Sequence, residues 1–145
     1  MGKCIMIGVF PPLYGGATVK CEIFYETLKD NQIETEKIDV YAASRNKTKS
    51  FKILKDCIRA FRSGNEIIYC LDSRRLRGVT MLQSLFTSSL ERTTVLAIGG
   101  VFHEIVDKYP LLSMRLRKAK GIWVETEGMK ARLLERRFNN VAVFP

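Results

Sequence analysis

Short apolar runs alternate with amphipathic stretches along the whole chain. Cys4 to Phe10 is almost continuously apolar and predicts a buried strand. Thr18 to Lys29 carries Val19, Ile23, Phe24 and Leu28 at helical spacing, which predicts a helix with those four facing inward. Ile33 to Val40 alternates loosely and predicts a second strand. Lys49 to Arg62 predicts a strongly amphipathic helix, with Phe51, Leu54, Ile58 and Phe61 on its apolar side. Strands are expected again at Ile67 to Leu71, Thr94 to Ile98, Ile122 to Glu125 and Val141 to Phe144. Helices are expected at Leu76 to Leu90, Leu111 to Lys118 and Gly128 to Arg137, and Asn46 to Ser50 is the most loop-like polar stretch. Strands separated by helices imply βαβ units, hence an α/β class: one Rossmann-like domain over residues 1–145, a parallel sheet with helices on both faces.

Ligands of such sheets bind beyond the carboxyl ends of the strands. The segments expected there are Pro11 to Gly16, Tyr41 to Ser44, Asp72 to Arg75, Gly99 to His103 and Glu125 to Gly128. In the first, a Pro-Pro break leads into Gly15-Gly16 and a helix start near Ala17. Two residues without Cβ atoms let a bulky anion approach the backbone, and the free N–H groups of a helix start favour a phosphate. A plain strand-to-helix turn is the other reading of these residues. No Gly-Lys-Ser or Gly-Lys-Thr follows, which excludes a nucleoside-triphosphate P-loop, and the glycine spacing of a dinucleotide fingerprint is also missing.

Composition changes the picture mainly through charge. At 46% hydrophobic and 27% charged residues, the 145-residue chain reads as one soluble globular domain without a spanning segment, and its first residues leave no room for a signal peptide. A net charge of +9 points to an anionic partner: nucleic acid, a membrane surface or a phosphorylated substrate. Nucleic acid is disfavoured, because no helix-turn-helix, zinc-finger or ribonucleoprotein pattern is present. Lys52, Lys55, Arg59 and Arg62 form a charged row on the amphipathic helix, either a solvated face or a contact with an anionic membrane. Arg74, Arg75 and Arg77 follow the third strand, where they could meet an acceptor's phosphates or simply face solvent. Cys4, Cys21, Cys57 and Cys70 lie in apolar surroundings without zinc-ligand spacing, so all four are expected as buried reduced thiols in the cytoplasm. Thr126 is expected to cap the last helix with Glu127 in its first turn, ahead of a catalytic reading of Glu125 and Glu127.

The order of these motifs resembles a known family. Val9-Phe10-Pro11-Pro12 with Gly15-Gly16 is similar to the N-terminal glycine loop of GT-B glycosyltransferases, above all the retaining family 4. Ala119 to Lys130 resembles the family's strand followed by Ser or Thr, Glu and a Met-Lys helix. Phe138 to Pro145 resembles the strand ending in proline that leads to the family's second domain. The resemblance covers nearly the whole chain and half of a family enzyme, the N-terminal acceptor-side domain. It implies transfer of a sugar from a nucleotide-sugar donor to a glycan or lipid-linked acceptor, without a catalytic metal or other cofactor. It implies that Gly15 and Gly16 approach the donor's phosphates and that His103, the only histidine, faces the reacting sugar; by its residue type alone, His103 reads equally as a capping or solvated residue. Most of the donor site would belong to a C-terminal domain, supplied by a longer chain or by a separate subunit. A peripheral location on the inner face of the membrane goes with a lipid-linked acceptor. A non-catalytic module that docks on a membrane or partner is the alternative from another class.

Overall fold

A computed structural model of the chain describes residues 2–12, 15–41 and 46–144. The strands are β1 (Cys4–Gly8), β2 (Thr35–Asp39), β3 (Glu66–Cys70), β4 (Thr93–Ala97), β5 (Gly121–Val124) and β6 (Val141–Val143). They form one parallel sheet in the order β2-β1-β3-β4-β5-β6. The helices are α1 (Gly16–Asp30), α2 (Lys47–Arg62), α3 (Ser73–Gln83), α4 (Phe102–Lys108), α5 (Pro110–Leu116) and α6 (Glu127–Glu135). The fold is therefore α/β and Rossmann-like. No described helix is long and apolar enough to cross a membrane.

Strand order dictates which face each helix covers. Only the step from β1 to β2 runs one way across the sheet, while every later step runs the other way. Right-handed crossovers then send the first helix to one face and the rest to the opposite face. The two cores follow this division. Ile5, Ile7, Ile67, Tyr69, Val95 and Ile122 point toward Cys57, Phe61, Leu76, Leu112 and Leu133 of the later helices. Met6, Cys70 and Leu96 point the other way, toward Phe10 and the Cys21 side of α1. Every residue of β1 is buried, as a central parallel strand covered on both faces requires.

Several expectations are corrected by this packing. On α1 the inward residues are Thr18 and Cys21, with Phe24, Tyr25 and Leu28 half-buried; Val19 and Ile23 face solvent. On α2 the inward set is Ile53, Cys57, Ala60 and Phe61, whereas Phe51 is 72% exposed and Leu54 is also exposed. The small side chains of Cys57 and Ala60 sit against the sheet, so the bulkier row beside them is turned outward. Asn46 to Ser50 is not a loop, because the Asn46 side chain accepts from the Thr48 N–H at 2.9 Å and caps α2. The helix expected to run to Leu90 ends at Gln83 and is followed by a 3₁₀ segment, Thr87–Arg92. Buried Gln83 accepts from the Tyr69 hydroxyl and donates to Thr93 Oγ1 at 2.8 Å, tying the end of α3 to β3 and β4. Helix α4 had no sequence signal beyond two buried residues, Phe102 and Val106.

Cys21 and Cys70 form a disulfide between α1 and the end of β3, with Cα atoms 5.9 Å apart, so they are not reduced thiols. Cys4 and Cys57 are free and buried, as expected.

Candidate functional site

The sheet reverses its winding between β1 and β3, so the crevice beyond their carboxyl ends is where a ligand is expected. Three connections converge there: the glycine loop into α1, the turn from β3 into α3, and the turn from β4 into α4. A cavity of about 180 Å³ lies between them, touching Ala17, Asp72, Ser73, Ile98 and Val101.

Gly15 caps α1 from an extended backbone at φ −158° and ψ 158°, a conformation open to any residue. Thr18 Oγ1 accepts from the Gly15 N–H at 3.0 Å and donates to the Gly15 carbonyl at 2.8 Å. Among the described residues, a Cβ added at Gly15 or Gly16 would meet nothing within 4 Å. Neither glycine has a positive φ, and no described residue fills the space above them at the helix start. Leu13 and Tyr14 of the same loop lie outside the described residues, as do Ala42, Ala43 and Ser44 of the segment after β2 and the neighbouring Arg45.

After β3, Asp72 caps α3 by accepting from the N–H groups of Arg74 and Arg75, each at 3.1 Å. Its carboxylate also pairs with the Arg75 guanidinium. Partial burial pushes the Asp72 pKa up, but these hydrogen bonds and the guanidinium charge outweigh it and hold the carboxyl below its ordinary value. Arg75 also lies 5.5 Å over the Tyr41 ring. It turns toward the groove between α2 and α3, whereas Arg74 borders both that groove and the next cavity along α3. The two arginines, paired as acceptor contacts from the sequence, therefore have different surroundings.

After β4, Gly99 has φ +94°, so this glycine is required by its turn. Its N–H donates to Glu125 Oε2 at 3.0 Å, and Oε1 of that carboxylate pairs with Lys20 of α1. Glu125 thereby joins α1, the β4 turn and the end of β5. Sequence reasoning considered Glu125 only as an acid or base and missed Lys20 altogether. Thr126 caps α6 by accepting from the Met129 N–H at 3.2 Å, as expected, with Glu127 as its first residue.

His103 is the second residue of α4, half-buried, and does not line the crevice. Its Nε2 faces Arg132 Nη1 of α6 at 3.4 Å. A guanidinium can only donate, so in the neutral ring Nε2 is the atom placed to accept. Asp107, one turn along α4, is held below the ordinary carboxylate range by its bidentate hydrogen bonds to Arg136, at 2.6 and 2.7 Å. His103 and the two glycines thus share the carboxyl edge of the sheet, with the cavity that touches Ala17 between them and lined by none of the three.

Lys52, Lys55, Arg59 and Arg62 are all exposed on α2. Arg59 is engaged by Glu36 at 2.5 Å and Asp56 at 3.5 Å, which separates it from the other three. Exposed Phe51 and Leu54 lie beside this row rather than beneath it. Comparison of the chain with protein-family models, with characterised proteins and with solved structures found no match.

Proposed function

We propose that this chain is the acceptor-side half of a glycosyltransferase that moves a sugar from a nucleotide-sugar to a glycan or lipid-linked acceptor. The observation that carries the reading is the space over Gly15 and Gly16, filled by no described residue, at a helix start in the crevice of a doubly wound sheet. Neither glycine is held there by a positive φ, and each leaves room for a phosphate at the backbone. The motif order that resembles family 4 of the GT-B enzymes supports it. In this reading the first-turn N–H groups of α1 meet the donor's diphosphate, and the second domain holds the nucleotide. His103 reaches the sugar from the α4 side, with Arg132 beside its ring. No catalytic metal takes part.

The protein joined to its nucleotide-sugar-binding half should transfer labelled sugar from a panel of nucleoside-diphosphate sugars to extracted lipids or glycans. The 145-residue chain alone should bind those donors weakly or not at all by titration calorimetry. Transfer absent across the panel sinks the proposal, and micromolar donor affinity of this chain moves the donor site into it. His103→Ala should lower transfer; full activity would leave His103 a surface residue.

The other reading, a module that docks on an anionic membrane without catalysis, is favoured by one observation. The exposed Phe51 and Leu54 beside Lys52, Lys55 and Arg62 make a face suited to a lipid interface. The two readings are compatible if the transferase works as a peripheral protein on the cytoplasmic side.

A further inference from the structure

The crevice cavity does not end at the glycine loop. It shares Ser73, Val101 and Ile105 with a second cavity of about 670 Å³ between α3 and α4. That one shares Arg77, Lys108 and Tyr109 with a third, of about 240 Å³, toward the start of α5. The three form one groove from Ala17 to Leu111.

The chemistry of the groove changes along its length. The middle section carries Arg74, Arg77 and Lys108 against a single carboxylate, Glu104. Among the described residues, none of these three cations has a carboxylate within ion-pair distance, although neighbouring Arg75 is committed to Asp72. Tyr109 sits under two of them, with the Arg77 guanidinium 4.7 Å and the Lys108 ammonium 5.6 Å from its ring. The ring holds these side chains over the groove without neutralising them. The outer section is apolar, formed by Met81, Pro110, Leu111 and Leu112, and Leu111 is 53% exposed. Unpaired cations followed by exposed hydrocarbon match a ligand built in that order.

We propose that the groove binds an amphiphilic phosphate ester, a phosphate carried on a long hydrocarbon chain. The phosphate lies on Arg74, Arg77 and Lys108, where charge-assisted hydrogen bonds hold it. The chain leaves over Met81, Pro110 and Leu111. The head beyond the phosphate extends past Ser73 and Val101 toward Ala17. This names the acceptor class of the transferase proposed above and rests on that reading for the reacting end alone; binding of phosphate and chain does not depend on it.

Titration of the chain with dodecyl phosphate below its micellar concentration tests the proposal, with inorganic phosphate and dodecyl glucoside as the separated parts. Dodecyl phosphate should bind at least about tenfold tighter than either part, since a charged contact and apolar burial act together. The variant Arg77→Gln/Lys108→Gln, at two exposed positions, should lose about tenfold for dodecyl phosphate and leave dodecyl glucoside unchanged. Leu111→Ser should weaken both amphiphiles and leave inorganic phosphate unchanged. Lys29→Gln, at the end of α1 and outside the groove, should change nothing. Equal affinity for dodecyl phosphate and dodecyl glucoside would mean a detergent-like contact and overturn the proposal. Equal affinity for dodecyl phosphate and inorganic phosphate would mean an anion site without a chain, and would overturn it too. An unaffected Arg77→Gln/Lys108→Gln variant places the ligand elsewhere. If these titrations succeed while sugar transfer fails, the transferase reading falls and the groove stands.

Discussion

The backbone N–H of Gly99 donates to Glu125 Oε2 at 3.0 Å, across 26 residues of sequence. The other oxygen of that carboxylate holds Lys20, so one half-buried side chain bridges two faces of the carboxyl edge. A charged acceptor on a backbone amide contributes about 1.5–3 kcal/mol, whereas an exposed ion pair contributes less than about 1 kcal/mol. Glu125→Ala should therefore lower stability by about 1–3 kcal/mol, and Lys20→Ala by under about 1 kcal/mol. Urea unfolding of the two variants separates them. Equal losses would mean that the ion pair, not the amide contact, dominates.

The glycines at the site should respond unequally to substitution. Gly99→Ala forces a Cβ into a left-handed backbone at φ +94° and should cost about 1–2 kcal/mol. Gly16→Val places its Cβ within 4 Å of no described residue, so unfolding should change by under about 1 kcal/mol. In the two-domain protein, Gly16→Val should nevertheless impair transfer, because the branched side chain fills the approach to the helix start. Unchanged turnover would make the loop only a turn.

The disulfide Cys21–Cys70 closes a sequence separation of 49 residues. Restricting the unfolded chain by a loop of that size is worth about 2–4 kcal/mol. Reductant should lower the unfolding midpoint of the chain, while Cys21→Ala/Cys70→Ala should be insensitive to it. Thiol counting in denaturant should find two thiols without reductant and four with it. Four thiols in both conditions, from protein purified without reductant, would show that the bond does not form.

Burial pushes the thiols of Cys4 and Cys57 up from 9.0 to about 11, with help from Glu66 beside Cys4 and Asp56 beside Cys57. The fold favours the neutral thiol in both cases. Their contribution is complete below the unfolded-state value and is lost as pH rises through the folded one. Stability should thus decline between about pH 9 and pH 11, and Cys4→Ala/Cys57→Ala should flatten that decline. An identical slope in the variant would assign the decline to other groups.

Anionic vesicles should bind the chain through α2, and salt should weaken the binding by screening. Each basic residue near such a surface contributes about 1 kcal/mol. Lys52→Glu/Lys55→Glu and Phe51→Ser should both reduce sedimentation with vesicles. Arg59→Gln should do so less, because Glu36 and Asp56 already hold that guanidinium. No sedimentation at low salt would make the row a solvated face and favour an acceptor that reaches the protein from solution.

Hydrophobic alternation by itself determined the six strands, their parallel arrangement and the position of the glycine loop at a carboxyl end. These are local signals: a central parallel strand must be apolar on both faces, and β1 is. The caps at Asn46 and Thr126 differ instructively. Both are local hydrogen bonds, yet only Thr126 was legible, because Lys47 to Ser50 look polar and loop-like until the helix behind them is packed. Tertiary structure alone decided which face of a helix turns inward. Spacing makes Phe51, Leu54 and Ile58 as good a core face as Ile53, Cys57 and Ala60, and the sheet selects the set that lets the backbone come close. The disulfide, the Gly99–Glu125 contact and the groove from Ala17 to Leu111 join residues far apart in the chain. No local periodicity encodes such pairings; they exist only once the crossovers have placed their elements side by side.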